Sequence, residues 1–368
     1  ESRLEVSLCG GIVAGSLTIV ALLLVCSALA GPPSEAEQQL LLAEAEALDQ
    51  QLLAFHAAGD AANALQVVQR SLAIRERALG QKHPDLIDDL DTLGQLLGLQ
   101  GDHQSARRHF ERSLDLREAF FGEGDGRVAD GHDFLGRHFL DLGDIAASVN
   151  HYQASLQIHE GAAEPDRSRI ATAIMTLAIA HHSGGQFADA KLLYQRALHD
   201  YRDAYGVQDT TIILDNLGHI LMQELDFDGA RAAYEESHAL KLEVLGSGHT
   251  EVATSLGLLG TLYLTEGHGR EAVEYLERSL EIKLQSGVDP PVIATAQNNL
   301  AAAYEARGDL ASARRLFEQA LTTWEGFVPE DDPELARGLA NFGLLLMSQG
   351  DYAQARPYFD RSLSMLQQ

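Results

Sequence analysis

Apolar residues recur along most of this chain at steps of three, four and seven, the spacing that gathers side chains on one face of an α-helix. A glycine or its substitute cuts the pattern at regular intervals: Gly59-Asp60, Gly101-Asp102, Gly143-Asp144, Gly185-Gln186, Leu225-Asp226, Gly267-His268, Gly308-Asp309 and Gly350-Asp351. Successive anchors lie 42, 42, 42, 40, 42, 41 and 42 residues apart, so eight units are expected. Five residues after each anchor stands a small residue, such as Ala106, Ser148 or Ala313, and nine after it a large one, such as Phe110, Tyr152 or Phe317. An apolar-small pair precedes the anchor by eight and seven, as in Leu93-Gly94, Leu217-Gly218 and Leu300-Ala301.

Small residues let two helices approach closely, and an aromatic one turn later fills the space beside them. The spacing therefore predicts an antiparallel helix pair in each unit, with no room for a larger side chain at the small positions. Turn-formers at His83-Pro84, Pro165-Asp166, Ser247-Gly248, Pro290-Pro291 and 329–333 fall in phase with the period and separate the pairs. Pro357 is expected to bend the last helix mildly at most.

Leu259-Gly260, Tyr263, Ala272 and Leu276, and likewise Leu300-Ala301, Tyr304, Ala313 and Phe317, follow an apolar-Gly, Tyr, Ala, Phe order that resembles the tetratricopeptide repeat. The 42-residue period is similar to the kinesin-light-chain type of that repeat, whose turn of Gly followed three later by His is seen at Gly80 to His83 and Gly246 to His249. The resemblance implies an all-α, right-handed solenoid of about eight antiparallel pairs over 34–368. Its repeats are placed near 34–80, 84–122, 127–163, 167–206, 209–246, 249–287, 290–327 and 333–368. Gln51-Leu52 departs from the apolar-small pair, so the first unit is expected to be a cap.

The resemblance also implies that the first helix of each pair lines a concave face that holds an extended peptide or a helix of a partner. Counted back from the anchors, its outward positions in the first three units include Glu46, Asp49, Asp88, Asp91, Gln95, Asp130, Asp133, Arg137 and Asp141, an acidic set. The middle units present Met175, His182, Asp215, His219 and Met222, and the last three Asn298, Glu305, Arg337, Leu344 and Met347. Asn216, Asn299 and Asn341 stand nine before their anchors, where relatives often use asparagine to hold a ligand's main chain; stitching neighbouring helices is the equal alternative. These positions carry no lysine, and only Arg137 and Arg337 are placed to meet a carboxylate, which disfavours an acidic-tail ligand.

From Leu8 to Ala30 the chain has no charged residue and is long enough to cross a bilayer. Residues 1–33 are thus expected to be an N-terminal hydrophobic helix, either a signal peptide cleaved after Ala28-Leu29-Ala30 or a retained transmembrane anchor. Either places the array outside the cytoplasm, in a periplasmic or extracellular location. Both cysteines, Cys9 and Cys26, sit in this stretch, which leaves the rest of the chain without a thiol.

The 27 Lys and Arg residues against 54 Asp and Glu give a formal charge of −27, which repels nucleic acid and anionic lipid. Hydrophobic content of 45% excludes a disordered chain. No phosphate-binding loop, H-E-x-x-H or G-x-S-x-G occurs in the helical array, so neither an enzyme nor a cofactor is expected. Fifteen histidines invite a metal, yet none are paired at i, i+4, and no metal site is expected. His83 and His249 recur at equivalent turns and are expected to close them by hydrogen bonding.

The expected function is a non-enzymatic scaffold that binds another protein or peptide, the sharper version being a ligand with a basic segment toward the acidic first repeats. Self-association through the last repeat is a further expectation. A second reading stays open: a sensor or regulatory array of a larger membrane signalling enzyme, such as a bacterial receptor kinase, since the chain begins at Glu1 rather than methionine.

Overall fold

The computed structural model describes residues 32–367, and the apolar stretch 8–30 with its export or anchor expectation lies outside them. Among the described residues no helix is long and apolar enough to cross a membrane. Sixteen α-helices run through them in eight pairs, with no strand. The chain divides into two compact units, one ending at Asp166 and the other beginning at Arg167.

In the first unit α1 (Glu35–Ala57) pairs with α2 (Ala61–Leu79), α3 (Ile87–Leu99) with α4 (His103–Phe121), and α5 (Gly126–Asp141) with α6 (Ile145–Gly161). The second unit holds five pairs: α7 (Arg167–Ser183) with α8 (Phe187–Tyr201), α9 (Val207–Gln223) with α10 (Phe227–Leu245), and α11 (Thr250–Thr265) with α12 (Gly269–Gln285). Its last two are α13 (Pro290–Arg307) with α14 (Leu310–Phe327), and α15 (Pro333–Ser348) with α16 (Tyr352–Leu366).

Each hairpin turns at its anchor residue. All eight anchors have positive φ, from 62° at Leu225 to 89° at Gly308, a conformation that stops a helix and that glycine adopts at little cost. The residue that follows then starts the next helix: Asp60, Asp102, Asp144, Asp226 and Asp309 each accept a hydrogen bond from a backbone N–H three residues on. The Gly-Asp pair is thus a stop and a start in two residues. His83 and His249 do similar work between pairs, where Nδ1 accepts from the N–H of Asp85 at 3.2 Å and of Glu251 at 3.1 Å. α16 runs through Pro357 without a break.

The small positions are small for a measurable reason. A Cβ added to Gly94 would lie 2.6 Å from the Phe110 ring, and one added to Gly218 would lie 2.5 Å from Tyr234. Leu276 closes on Gly260 in the same register, at 2.6 Å. The residues five after the anchors, Ala64, Ala106, Ala190, Ala230, Ala272 and Ala313, are fully buried where the second helix crosses the first. Ser148 takes that place in the third pair and donates its hydroxyl to the Gly136 carbonyl at 2.8 Å, so the polar atom is satisfied inside the core. Each large plug buries enough apolar surface to contribute about 1.5–3 kcal/mol, and Tyr194, Tyr234 and Phe317 are all at most 1% exposed.

Candidate functional site

The outward positions of the first helices divide into side chains that face solvent and side chains that are bonded inward. In the first unit Asp88 is exposed on α3, while Asp91, one turn on, is buried. Asp91 Oδ2 lies 2.6 Å from Arg117 Nη2, and Oδ1 accepts from the Ser113 hydroxyl at 2.6 Å. Asp49 on α1 pairs with Arg75, whose guanidinium also holds Asp89 at 2.7 Å. Burial pushes the Asp89 and Asp91 carboxyl pKa values up, against the arginines that pull them down. Asp130 and Asp133 are half-buried on α5, and Arg137 is exposed there with Asp141 at 3.4 Å. Asp49 and Asp91 are therefore neutralised within their helix pairs.

The same ion pair recurs in the second unit, where Lys241 Nζ meets Asp215 Oδ2 at 2.7 Å. Asp49 and Arg75, Asp91 and Arg117, and Asp215 and Lys241 are each 26 residues apart: an acid ten before the anchor meets a base sixteen after it. Sequence reasoning followed the first helices alone and missed these bases on the second helices, although the constant interval was visible.

His182 on α7 and His219 on α9 stack with ring centroids 5.6 Å apart, and His219, exposed, meets Gln223 at 3.1 Å. Burial, then the neighbouring imidazole, lowers the His182 pKa. Asn216 lies beside the buried Tyr194 hydroxyl. The remaining asparagines form a network between α13 and α15. Asn341 Nδ2 donates to Asn298 Oδ1 at 3.2 Å, Asn298 Nδ2 to Asn299 Oδ1 at 3.3 Å, and Arg337 Nη1 reaches Asn299 Oδ1 at 3.5 Å. Asn298 is 1% exposed. Two of the expected contact residues, Asp91 and Asn298, are buried and bonded inward, where each completes a polar group that the helix packing would otherwise strand. On α15, Leu344 and Met347 are 47% and 42% exposed.

Elsewhere in the first unit a cleft of about 420 Å³ lies among α4, α5 and α6, lined by Val128, Ile158, His132, Glu118 and Glu123. His132 Nδ1 is 3.0 Å from His151 Nδ1, and burial together with this second imidazole pushes the His132 pKa down to about 4. Among the described residues no three His, Cys, Asp or Glu side chains are grouped to hold a metal.

Comparison with known proteins adds a family. A profile of the tetratricopeptide repeat matches residues 44–119, 128–203, 209–285 and 292–368. Protein KINESIN LIGHT CHAIN-RELATED 2 of Arabidopsis thaliana is 27% identical over 203 residues, which is 53% of this chain and 30% of that protein. KINESIN LIGHT CHAIN-RELATED 1 of the same plant is 26% identical over 44% of this chain and 27% of its own length. The chain thus spans less than a third of these curated relatives. Among solved structures, BtubC (BKLC) from P. vanneervenii shares the fold at a TM-score of 0.54 and 23% identity, covering 63% of this chain and 94% of its own. Aspartyl phosphate phosphatase F from Bacillus subtilis does so at 0.62 and 14%, covering 82% and 76%.

Proposed function

The chain belongs to the tetratricopeptide repeat family, with repeats of the kinesin-light-chain type, and from that premise we propose that it is a non-enzymatic scaffold whose first helices hold a peptide or helix of a partner protein. The observation that carries this reading is the division of the first-helix faces. Packing and internal ion pairs consume one set of side chains, while Asp88, Gln95, His219, Gln223, Leu344 and Met347 stay exposed at the outward positions. Exposed polar and apolar groups in a fixed repeat suit contact with an extended ligand, read by hydrogen bonds and shape rather than by a reaction. The basic-segment version rests on the first unit's exposed carboxylates and is weaker than composition suggests, because Arg75 and Arg117 already answer three of the acids.

Affinity capture with the full chain as bait tests the proposal. The expected result is a specific protein partner whose retention falls at least tenfold on Leu344→Glu or His219→Glu; retention unchanged by both overturns the first-helix face as the contact surface. A partner whose dissociation constant does not change between about 50 and 500 mM salt removes the basic-segment version, since exposed attraction is heavily screened over that range. Export or anchoring through residues 8–30 belongs to the same proposal, and recovery of a covalently linked kinase domain in the native protein favours the regulatory-array reading.

A further inference from the structure

One pair keeps the lysine or arginine of this register without its acid. Lys283 on α12 stands sixteen residues after Gly267, the position held by Arg75, Arg117 and Lys241 in the pairs that carry the bridge. The residue 26 before it, where those pairs have Asp49, Asp91 and Asp215, is Gly257. Arg75 has a second carboxylate from the next pair, Asp89, twelve before its anchor; the equivalent residue above Lys283 is Ala296. Neither acid position around this lysine carries a carboxylate: one is a glycine and the other a buried alanine. Lys283 is half-buried and makes no ion pair within 4.0 Å among the described residues, and Glu251, the acid whose field reaches it, is 3.4 Å from Lys241 instead. Burial accordingly lowers the Lys283 pKa, with Glu251 opposing. The space is open on the Gly257 side, where an added Cβ would meet only the Ser279 hydroxyl, at 3.5 Å.

We propose that Lys283 and the gap left at Gly257 form a subsite for a carboxylate of the partner, which takes the place that an aspartate fills in the sister pairs. A half-buried ammonium without a direct ion-pair partner costs free energy that an incoming carboxylate recovers, and the side chain missing at Gly257 leaves the room for it. The subsite deepens the scaffold reading, since Gly257 lies on the first-helix face, and it corrects the view that no lysine serves that face: the base comes from the second helix. The chemistry is that of a carboxylate, supplied either by an acidic side chain or by a chain terminus.

The chain has four lysines, Lys82, Lys191, Lys241 and Lys283, so the full protein labelled with ¹³C-lysine gives a resolvable set of side-chain NMR signals, assigned by Lys→Arg variants. The probes are N-acetylglycine, a terminal carboxylate, and N-acetylaspartate amide, a side-chain one, at constant ionic strength, with N-acetylglycinamide as the uncharged control. The expected result is a saturable shift of Lys283 with at least one carboxylate and none with the control, while Lys241, already paired, stays within a fifth of that shift. Which probe acts tells the two sources apart. Gly257→Asp is expected to abolish the response and to raise the Lys283 pKa, as an internal partner would. A Lys283 signal that stays still with both carboxylates, or moves no more than Lys241, or responds equally in Gly257→Asp, overturns the subsite. The scaffold reading is judged separately by partner capture, so either can fail alone.

Discussion

Arg117 and Asp91 face each other at 2.6 Å from two helices of one pair, with side chains only 7% and 9% exposed, and the Ser113 hydroxyl closes the group at 2.6 Å from the same carboxylate. Such a pair contributes little net stability when intact, because desolvation offsets attraction, yet it punishes the loss of one member. Asp91→Ala is expected to cost about 3–5 kcal/mol, the penalty of a stranded buried charge. The double variant Asp91→Leu with Arg117→Met is expected to cost clearly less than Asp91→Ala alone. Urea unfolding of the three proteins checks this; a double variant as unstable as the single one contradicts the account.

Leu225 is the one non-glycine residue with positive φ among the described residues, at 62°, and its side chain is 71% exposed. An L-residue in that conformation carries about 1–2 kcal/mol of strain, and little packing is lost on its removal. Leu225→Gly is expected to raise the melting temperature, and Gly267→Leu, at the equivalent anchor, to lower it. Opposite signs in a thermal melt are the result to look for.

Ala313 is fully buried where α14 crosses α13, whereas Gln319 on the same helix is exposed. Ala313→Leu overpacks the crossing and is expected to cost about 1–3 kcal/mol, against a change near zero for Gln319→Leu. Equal melting midpoints would remove Ala313 from the interface.

The paired imidazoles of His132 and His151 make the first unit sensitive to acid. The His132 pKa falls to about 4 and that of His151 is also lowered by burial. The unfolded chain, titrating near the ordinary value of about 6.5, binds more protons than the folded one between those limits. Stability is therefore present above about pH 6.5 and is lost as pH falls toward about 4. His132→Asn combined with His151→Asn is expected to flatten the melting temperature between pH 7 and pH 5, with the wild-type chain falling more steeply. A parallel fall in both proteins assigns the acid sensitivity elsewhere.

Helix pairing, the eight anchors and the close-approach residues were all legible in the sequence because they are local instructions. A stop, a cap and a small residue act within one or two turns, and repetition exposes them. The ligand face was legible only in outline. Whether Asp91 points to solvent or to Arg117 depends on a side chain 26 residues away on the opposing helix, and a reading confined to one helix face cannot register that. Asn298 went the same way, since its partner Asn341 belongs to the following pair. His83 and His249 were assigned correctly from their turns, where the bond they form spans two residues.

The period shortens once to 40 residues, between Gly185 and Leu225, and the chain after α8 there runs through the short turn Arg202–Ala204 before α9 begins at Val207. Within the α9–α10 hairpin, the number of residues from Gly218 to its plug Tyr234 is the same as that from Gly94 to Phe110. Length is thus negotiable at the joints and rigid inside the hairpins. An insertion in one of these joints would pass almost unnoticed, whereas a single added residue between a glycine and its ring would turn that plug out into water.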